Sequence, residues 1–292
     1  MGLTPPLFTV LIPAHDAEDT VARAVRSALD QSLRDLEVVV VDDGSTDGTA
    51  SVLRGFSDER LVLIEQAASG SPAGARNAGL RAARGGFVAF LDADDEWYPE
   101  KLARVHAALS EEPALDAVCH DVRLVGPSGP VGRRAYRLDA RGLYEQLLYR
   151  GNFLTTSAMT VRASRLRDAG GFSEVPGRSI AEDLDLWLRL AEAGMRLRII
   201  PETLGDYTVG EGISGDHVSA LRDTFDVLDR HYEQLAASGR LNVGAALVRR
   251  LRALGALAID HLAHGRPAAG VRTAAGILPD VARRWHRYRS LR

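Results

Sequence analysis

Phe87-Val88-Ala89-Phe90-Leu91-Asp92-Ala93-Asp94-Asp95-Glu96-Trp97 is the stretch whose reading sets the fold. Five consecutive apolar residues predict a strand buried on both faces, and the run stops at four acids interrupted by one alanine. Two readings stand at this point. A strand that delivers carboxylates to its C-terminal end is a common way to hold a divalent metal, and an acidic surface loop has the same composition. The flanking segments decide between them.

Upstream, Phe8 to Pro13 predicts a buried strand, and Glu18 to Leu29 a helix with Val21, Val25 and Leu29 at helical spacing. Leu36 to Val41 predicts a second strand that ends in Asp42-Asp43. Gly44-Ser45-Thr46-Asp47 then supplies a turn and an N-cap for a helix through Phe56. Leu61 to Ile64 is a third strand and Gly74 to Arg84 a third helix, followed by the opening stretch. Strand-helix units with short joins require parallel strands and right-handed crossovers, hence a helix-covered α/β sheet. Ligands of such sheets lie beyond the carboxyl ends of the strands. Pro13-Ala14-His15-Asp16, Asp42-Asp43-Gly44-Ser45 and Asp92-Ala93-Asp94-Asp95 should therefore line one edge, which favours the metal reading.

The second half is less regular. Ala117 to Val125 and Thr156 to Val161 predict strands, separated by a Pro/Gly turn at Gly126 to Gly132 and a helix near Leu143 to Tyr149. Gly170-Gly171-Phe172 is a break, Ala181 to Ala193 a helix with Glu182, Asp183 and Asp185 in its first turn, and Leu197 to Ile200 a last strand. A glycine-dotted loop follows at Gly205, Gly210, Gly212 and Gly215, and only helices are expected from Asp216 onward. The expected organisation is an α/β domain over 1–215 and a helical C-terminal extension over 216–292.

Composition is that of an ordinary globular protein of 292 residues, with a formal net charge of -3. That value hides an asymmetry. From Arg240 onward eleven arginines face only Asp260 and Asp280, a local charge of +9 against -12 for the rest. An acidic body argues against nucleic acid as its main partner, and the basic tail suits a membrane surface or another protein. The single cysteine, Cys119, excludes an intrachain disulfide and lies in an apolar patch expected to be core. Absence of a signal-like N-terminus and of a long apolar run leads to the expectation of a cytoplasmic protein, soluble or peripheral at the inner face of the membrane. Lys101 is the only lysine among 36 basic residues, a coding bias.

A nucleoside diphosphate sugar presents a base, a ribose, two phosphates and an electrophilic anomeric carbon. Carboxylates at the first strand ends, Asp16, Asp42 or Asp43, suit base N-H groups or ribose hydroxyls. A hard cation such as Mg2+ or Mn2+ suits the diphosphate, with Asp94, and Asp92 beside it, as ligands. Arg76, in Gly74-Ala75-Arg76-Asn77-Ala78-Gly79, offers a positive charge to phosphate at a helix N-terminus. Displacement at the anomeric carbon needs a carboxylate base on a different element. Glu182-Asp183 fits, although acids in a first helical turn also serve the helix dipole.

These motifs, taken as Val10-Leu11-Ile12-Pro13-Ala14-His15-Asp16, Val40-Val41-Asp42-Asp43-Gly44-Ser45-Thr46-Asp47, Ala75-Arg76-Asn77-Ala78-Gly79, Phe90-Leu91-Asp92-Ala93-Asp94-Asp95, Gly170-Gly171-Phe172 and Glu182-Asp183, resemble the family 2 inverting glycosyltransferases. The likeness spans about residues 8 to 210. It implies a GT-A type fold, with a Rossmann-like, mostly parallel sheet flanked by helices. It further implies that Asp43 recognises the base, with Pro13, Ala14 and His15 walling it, and that Arg76 lies near the nucleotide. Asp92 and Asp94 would form the DxD-like pair, with Asp94 as metal ligand, and Asp183 would be the catalytic base. The implied reaction is a metal-dependent hexosyl transfer by single displacement with inversion. Its acceptor would be a saccharide, lipid-linked or small-molecule hydroxyl in polysaccharide or glycoconjugate synthesis.

One segment departs from the family pattern. Where many members have Tyr-Arg-x-His-x-x-Ser, this chain reads Tyr207-Thr208-Val209-Gly210-Glu211-Gly212-Ile213-Ser214. His217 is the nearest substitute contact, and the glycines suggest a flap that closes over donor. Trp187 falls on a core-facing helical stripe, whereas Trp97 is the better candidate for stacking on an acceptor sugar. Asp95 and Glu96 are expected to cap the next helix. Val248, Leu251, Leu254, Leu257, Ile259 and Leu262 form an apolar stripe beside Arg249, Arg250 and Arg252, expected either to pack on the body or to meet an anionic membrane. Two other functions are compatible with such a chain. A sugar-phosphate nucleotidyltransferase would show a Gly-rich basic loop after the first strand, which Pro13-Ala14-His15-Asp16 lacks; a silent nucleotide-sugar-binding protein would not need Asp43, Asp94 and Asp183 together.

Overall fold

The computed structural model describes residues 5–174, 181–209, 217–263 and 267–291. The chain opens with β1 (Phe8–Ala14), α1 (Val21–Leu29), β2 (Leu36–Asp43), α2 (Thr49–Arg54), β3 (Leu61–Gln66), α3 (Pro72–Ala82) and β4 (Phe87–Phe90). These strands lie in the order β3-β2-β1-β4 and pair in parallel throughout, as the strand-helix alternation predicts. Ala14 is registered with Asp42, and Asp43 with Gln66. The three expected clusters therefore emerge along one sheet edge.

Alternation explains why these strands are buried on both faces. Val10, Ile12, Val38, Val40 and Ala89 pack towards α1, where Val21, Ala24, Val25 and Ala28 form the buried stripe. Leu11, Val88 and Phe90 enter the core on the other side. There α3 lies close to β1 because its contact face is made of small residues. A Cβ at Gly79 would sit 2.8 Å from the Leu11 side chain.

The second half adds β5 (Glu96–Trp97), α4 (Lys101–Glu111), β6 (Ala117–Gly126), β7 (Gly129–Arg134), α5 (Leu143–Arg150), a 3-10 turn (Thr156–Ala158), β8 (Met159–Arg162), α6 (Ala163–Asp168), α7 (Glu182–Glu192) and β9 (Leu197–Thr208). They extend the sheet in the order β4-β8-β6-β9-β5, with β7 on the outside of β6. Antiparallel pairs enter only here, at β4-β8, β6-β8, β6-β7 and β5-β9. Three boundaries differ from expectation. The Pro/Gly turn is the tip of a hairpin whose return strand, β7, is solvent-exposed and lacks apolar alternation. Thr156 to Ala158 turn before the strand begins. The last strand continues to Thr208, so Gly205 is a strand residue and not part of a loop. A Cβ there would lie 2.7 Å from the Glu96 carbonyl oxygen, so glycine is what lets β5 approach.

α8 (His217–Ala237), α9 (Val243–Ala263) and α10 (Pro267–Ser290) complete the chain. Phe225, Leu228, Tyr232, Leu247 and Tyr288 share one hydrophobic cluster with α5, α7 and β6. Of the three arginines expected to flank an apolar stripe, Arg249 and Arg250 turn inward and Arg252 stays exposed. Arg250 pairs with Asp229 and Asp280, and Arg249 donates to the Leu147 and Leu148 carbonyls at the end of α5. Arg284 and the Tyr288 hydroxyl also reach Asp229. Val248, Leu251 and Ile259 are left exposed. Among the described residues no helix is long and apolar enough to cross a membrane.

Trp97 is 3% exposed, so it is core and not a sugar platform. Lys101 Nζ lies 3.5 Å from its ring centroid, its Nε1 donates to the Ser157 carbonyl, and Lys101 Nζ donates to Thr160 Oγ1 at 3.0 Å. The strand pairing with Gly205 pulls Trp97 inward. Burial holds the Lys101 amine well below its ordinary value of 10.5. Between the folded and ordinary values the unfolded chain binds a proton that the folded chain does not. This contribution is fully present above about 10.5 and is lost as pH falls through the folded value. Lys101→Met should therefore raise the melting temperature relative to wild type more at pH 7 than at pH 10. Equal differences at both pH values in thermal melts would refute the lowered Lys101 amine.

Candidate active site

At the ends of β1 and β2 the acids are occupied with holding loops together. Asp43 Oδ1 accepts from Gln66 Nε2 at 2.6 Å and the Ser69 N-H at 3.0 Å, and Oδ2 accepts from Ser69 Oγ at 2.7 Å. Asp42 closes its own turn by accepting from the Ser45 N-H and hydroxyl. Asp16 takes the left-handed conformation, φ 46°, and its Oδ1 accepts from the Thr46 N-H at 2.7 Å. His15 Nδ1 lies 2.9 Å from the Asp43 carbonyl oxygen. Pro13 is half-buried, Ala14 buried and His15 exposed, so His15 and Asp16 form the open lip of this end of the sheet.

The second cluster is organised by Arg76 of α3. Its guanidinium is buried, with Nη2 at 2.7 Å from Asp92 Oδ1 and Nη1 at 2.6 Å from Glu182 Oε1. It lies 5.4 Å over the Phe172 ring. Burial alone would favour the neutral form, but Asp92 and Glu182 outweigh it and hold Arg76 charged. Next in sequence, Asn77 Nδ2 donates to the Phe172 carbonyl, and the Phe172 N-H donates to Asn77 Oδ1. The Ala75-Arg76-Asn77 segment thus clamps both the glycine break and the start of α7. Gly171, at φ 74°, permits this, since a Cβ would lie 2.6 Å from Asn77 Oδ1.

Ala181, just before α7, is left-handed at φ 80°, a strained geometry for alanine that turns the chain into the acidic pair. Asp183 Oδ2 accepts from Asn152 Nδ2 at 2.8 Å and lies 3.5 Å from Thr156 Oγ1. Burial pushes its carboxyl above the ordinary value of 3.8, against the pull of the Arg76 charge and of the Leu184 N-H and Asn152 bonds. Burial likewise raises Glu182, with Arg76 opposing.

At the end of β4, the Asp92 N-H donates to Ser157 Oγ at 3.0 Å. Asp94 is exposed, yet the walls around its carboxylate thin its hydration, and Asp92 adds a like charge, so its carboxyl is raised above the ordinary value. Its carbonyl oxygen accepts from Thr208 Oγ1 and Arg23 Nη2. Asp95 is buried and accepts from the Thr208 N-H at 2.7 Å. It therefore holds the end of β9 and does not cap α4, while Glu96 pairs with Arg23. Thr208, at the departure from the family pattern, ties down the acidic turn. Gly210, Gly212, Gly215 and the side chain of His217 lie outside the described residues, and with them the expected flap.

The donor set suits a hard divalent cation supplied mainly by substrate and water. Asp92 and Asp94 are like-charged and near each other, and among the described residues no cluster of three or more metal-type side chains is found. Two carboxylates leave most positions for phosphate oxygens and water, as Mg2+ prefers. Asn152, Ser157, Gln66 and Ser69 were not expected from the sequence. Only Ser157 had a signal, the hydroxyl pair Thr156-Ser157 at the start of the expected strand Thr156 to Val161.

Fold and site together define a GT-A type glycosyltransferase. The model of the family Glycosyl transferase family 2 matches residues 9–169, and the chain belongs to that family. The putative teichuronic acid biosynthesis glycosyltransferase TuaG of Bacillus subtilis (strain 168) is 30% identical over 233 residues, 79% of this chain and 90% of that protein. WfaP of Escherichia coli, a UDP-Glc:alpha-D-GlcNAc-diphosphoundecaprenol beta-1,3-glucosyltransferase, is 36% identical over 107 residues, 36% of this chain and 43% of that protein. Among solved structures, S. aureus TarS 1-349 in complex with UDP-GlcNAc superposes with a TM-score of 0.61 at 20% identity, covering 92% of this chain and 90% of that one. The mannosyltransferase PcManGT from Pyrobaculum calidifontis, in complex with GDP-Man and Mn2+, gives 0.58 at 22% identity, covering 98% and 84%.

Removing the Arg76 guanidinium would leave buried carboxylates unpaired, a change that typically costs about 3–5 kcal/mol. Arg76→Ala should lower the melting temperature and abolish transfer, and a variant with near-native melting and turnover would contradict the coupling. Asn152→Ala removes a donor that favours ionised Asp183. The acid limb of its kcat/KM profile should move to higher pH, and an unmoved limb would detach Asn152 from the titration of Asp183.

Proposed function

We propose that the chain moves a hexosyl group from a nucleoside diphosphate sugar to an acceptor hydroxyl by single displacement with inversion. One observation carries this reading: Asp183 on α7 and the Asp92-Asp94 pair after β4 are drawn together around Arg76. Asp183, held by Asn152 and raised by burial, accepts the acceptor hydroxyl proton as that oxygen bonds to the anomeric carbon. The bond from that carbon to the diphosphate breaks on the opposite face, and its electron pair leaves with the diphosphate. Asp94, with Asp92, would hold Mn2+ or Mg2+, which when bound neutralises charge on the departing diphosphate. Arg76 has both terminal nitrogens occupied by Asp92 and Glu182. We assign it to keeping the base and the metal pair at fixed spacing, beside the nucleotide. The Asp43 end of the sheet receives the nucleoside, where Asp43 orders the loop carrying Ser69.

The relatives' names support a saccharide or lipid-linked acceptor in polysaccharide or glycoconjugate synthesis. The solved neighbours holding UDP-GlcNAc, or GDP-Man with Mn2+, support a nucleoside diphosphate donor and a divalent cation. Thermal stabilisation by nucleotide sugars should depend on Mn2+ and vanish in Asp94→Ala. Asp183→Asn should lose turnover by about 100-fold or more while keeping donor binding. Stabilisation by no nucleotide sugar, or full turnover in Asp183→Asn, would overturn the reading.

A further inference from the structure

Six of the ten exposed large hydrophobic side chains among the described residues lie on α9 and α10. Val248, Leu251 and Ile259 recur on one side of α9, and Val271, Leu278 and Trp285 recur at steps of seven on one side of α10. Exposure reaches 68% at Ile259 and 74% at Leu278. The opposite sides of both helices are committed to the body through Arg249, Arg250, Arg284 and Tyr288. The apolar stripes therefore face solvent by construction of the fold.

Cations accompany these stripes. Arg252, Arg272, Arg283 and Arg289 are exposed on the same two helices, and Arg289 lies 5.0 Å over the Trp285 ring. Asp280, by contrast, is consumed by Arg250 and Arg283. Apolar side chains that include an aromatic ring, with exposed arginines around them, match a bilayer interface with anionic headgroups. Neither helix is apolar enough to span the membrane, so the contact is a lateral one.

We propose that the outer face of α9 and α10 docks the protein on an anionic lipid bilayer. This rests on the transferase reading only for its purpose, access to a lipid-linked acceptor. The inner face of α9 connects to the site: Arg249 grips the last carbonyls of α5, shortly before Asn152 and its bond to Asp183.

The full chain should co-sediment with phosphatidylcholine vesicles containing about 30% phosphatidylglycerol, much less with pure phosphatidylcholine, and less as salt rises. Trp97 and Trp187 are buried and Trp285 is 40% exposed, so vesicle-dependent protection from acrylamide quenching reports on the docking face. Ile259→Glu with Leu278→Glu should weaken vesicle binding by about tenfold or more without changing the melting temperature. Arg272→Glu with Arg283→Glu should remove the preference for anionic vesicles. Wild-type protein that stays in the supernatant, or variants that bind as well as wild type, would overturn the proposal. So would a wild-type dimer in sedimentation velocity that ignores vesicles and becomes monomeric in Ile259→Glu with Leu278→Glu, since a second copy would then cover the face. Donor-dependent stabilisation is read without vesicles, so loss of docking and loss of the transferase reading are separable.

Discussion

A single buried guanidinium holds the candidate site together. Asp92, Glu182 and Asp183 come from two elements far apart in sequence, and crowding them away from water would raise all their proton affinities. Arg76 makes the arrangement tenable by pairing with Asp92 and Glu182 while resting on Phe172. Its neighbour Asn77 bonds both backbone groups of Phe172. One turn of α3 therefore sets the position of the β4 end and the start of α7 relative to each other.

The acids around that centre divide by what satisfies them. Asp42, Asp43 and Asp16 are committed to donors from Ser45, Ser69, Gln66 and Thr46. Asp95 is buried against the end of β9. Asp94 is left open to solvent, and Asp183 is steered by Asn152 while its carboxyl is held above the ordinary range. Asp183 also accepts hydrogen bonds, from Asn152 and the Leu184 N-H, and what sets it apart is the burial that raises its carboxyl in spite of them. The division of labour thus follows from local donor supply together with burial and not from residue type.

In the C-terminal helices the same logic operates in reverse. Asp229 and the carbonyl end of α5 offer enough acceptors to draw Arg249, Arg250 and Arg284 inward. Apolar residues are displaced to the surface as a result, although in most amphipathic helices they would be buried.

The amino-acid sequence by itself determined the parallel half of the sheet, because its buried strands and intervening helices differ in hydrophobic period and are separated by short turns. It also determined which strand ends bear acids, and the motifs there identify the family. It could not show that Gly205 is a strand residue, that Trp97 is core, or that Thr208 anchors the acidic turn. Each depends on the approach of β5 to β9, a contact between segments about a hundred residues apart that leaves no local periodicity. Nor could it show that Arg76 joins Asp92 to Glu182 or that Asn152 holds Asp183. Such pairings are fixed by which elements pack together, and so only the tertiary structure decided which carboxylates are spent on the scaffold and which are left for chemistry.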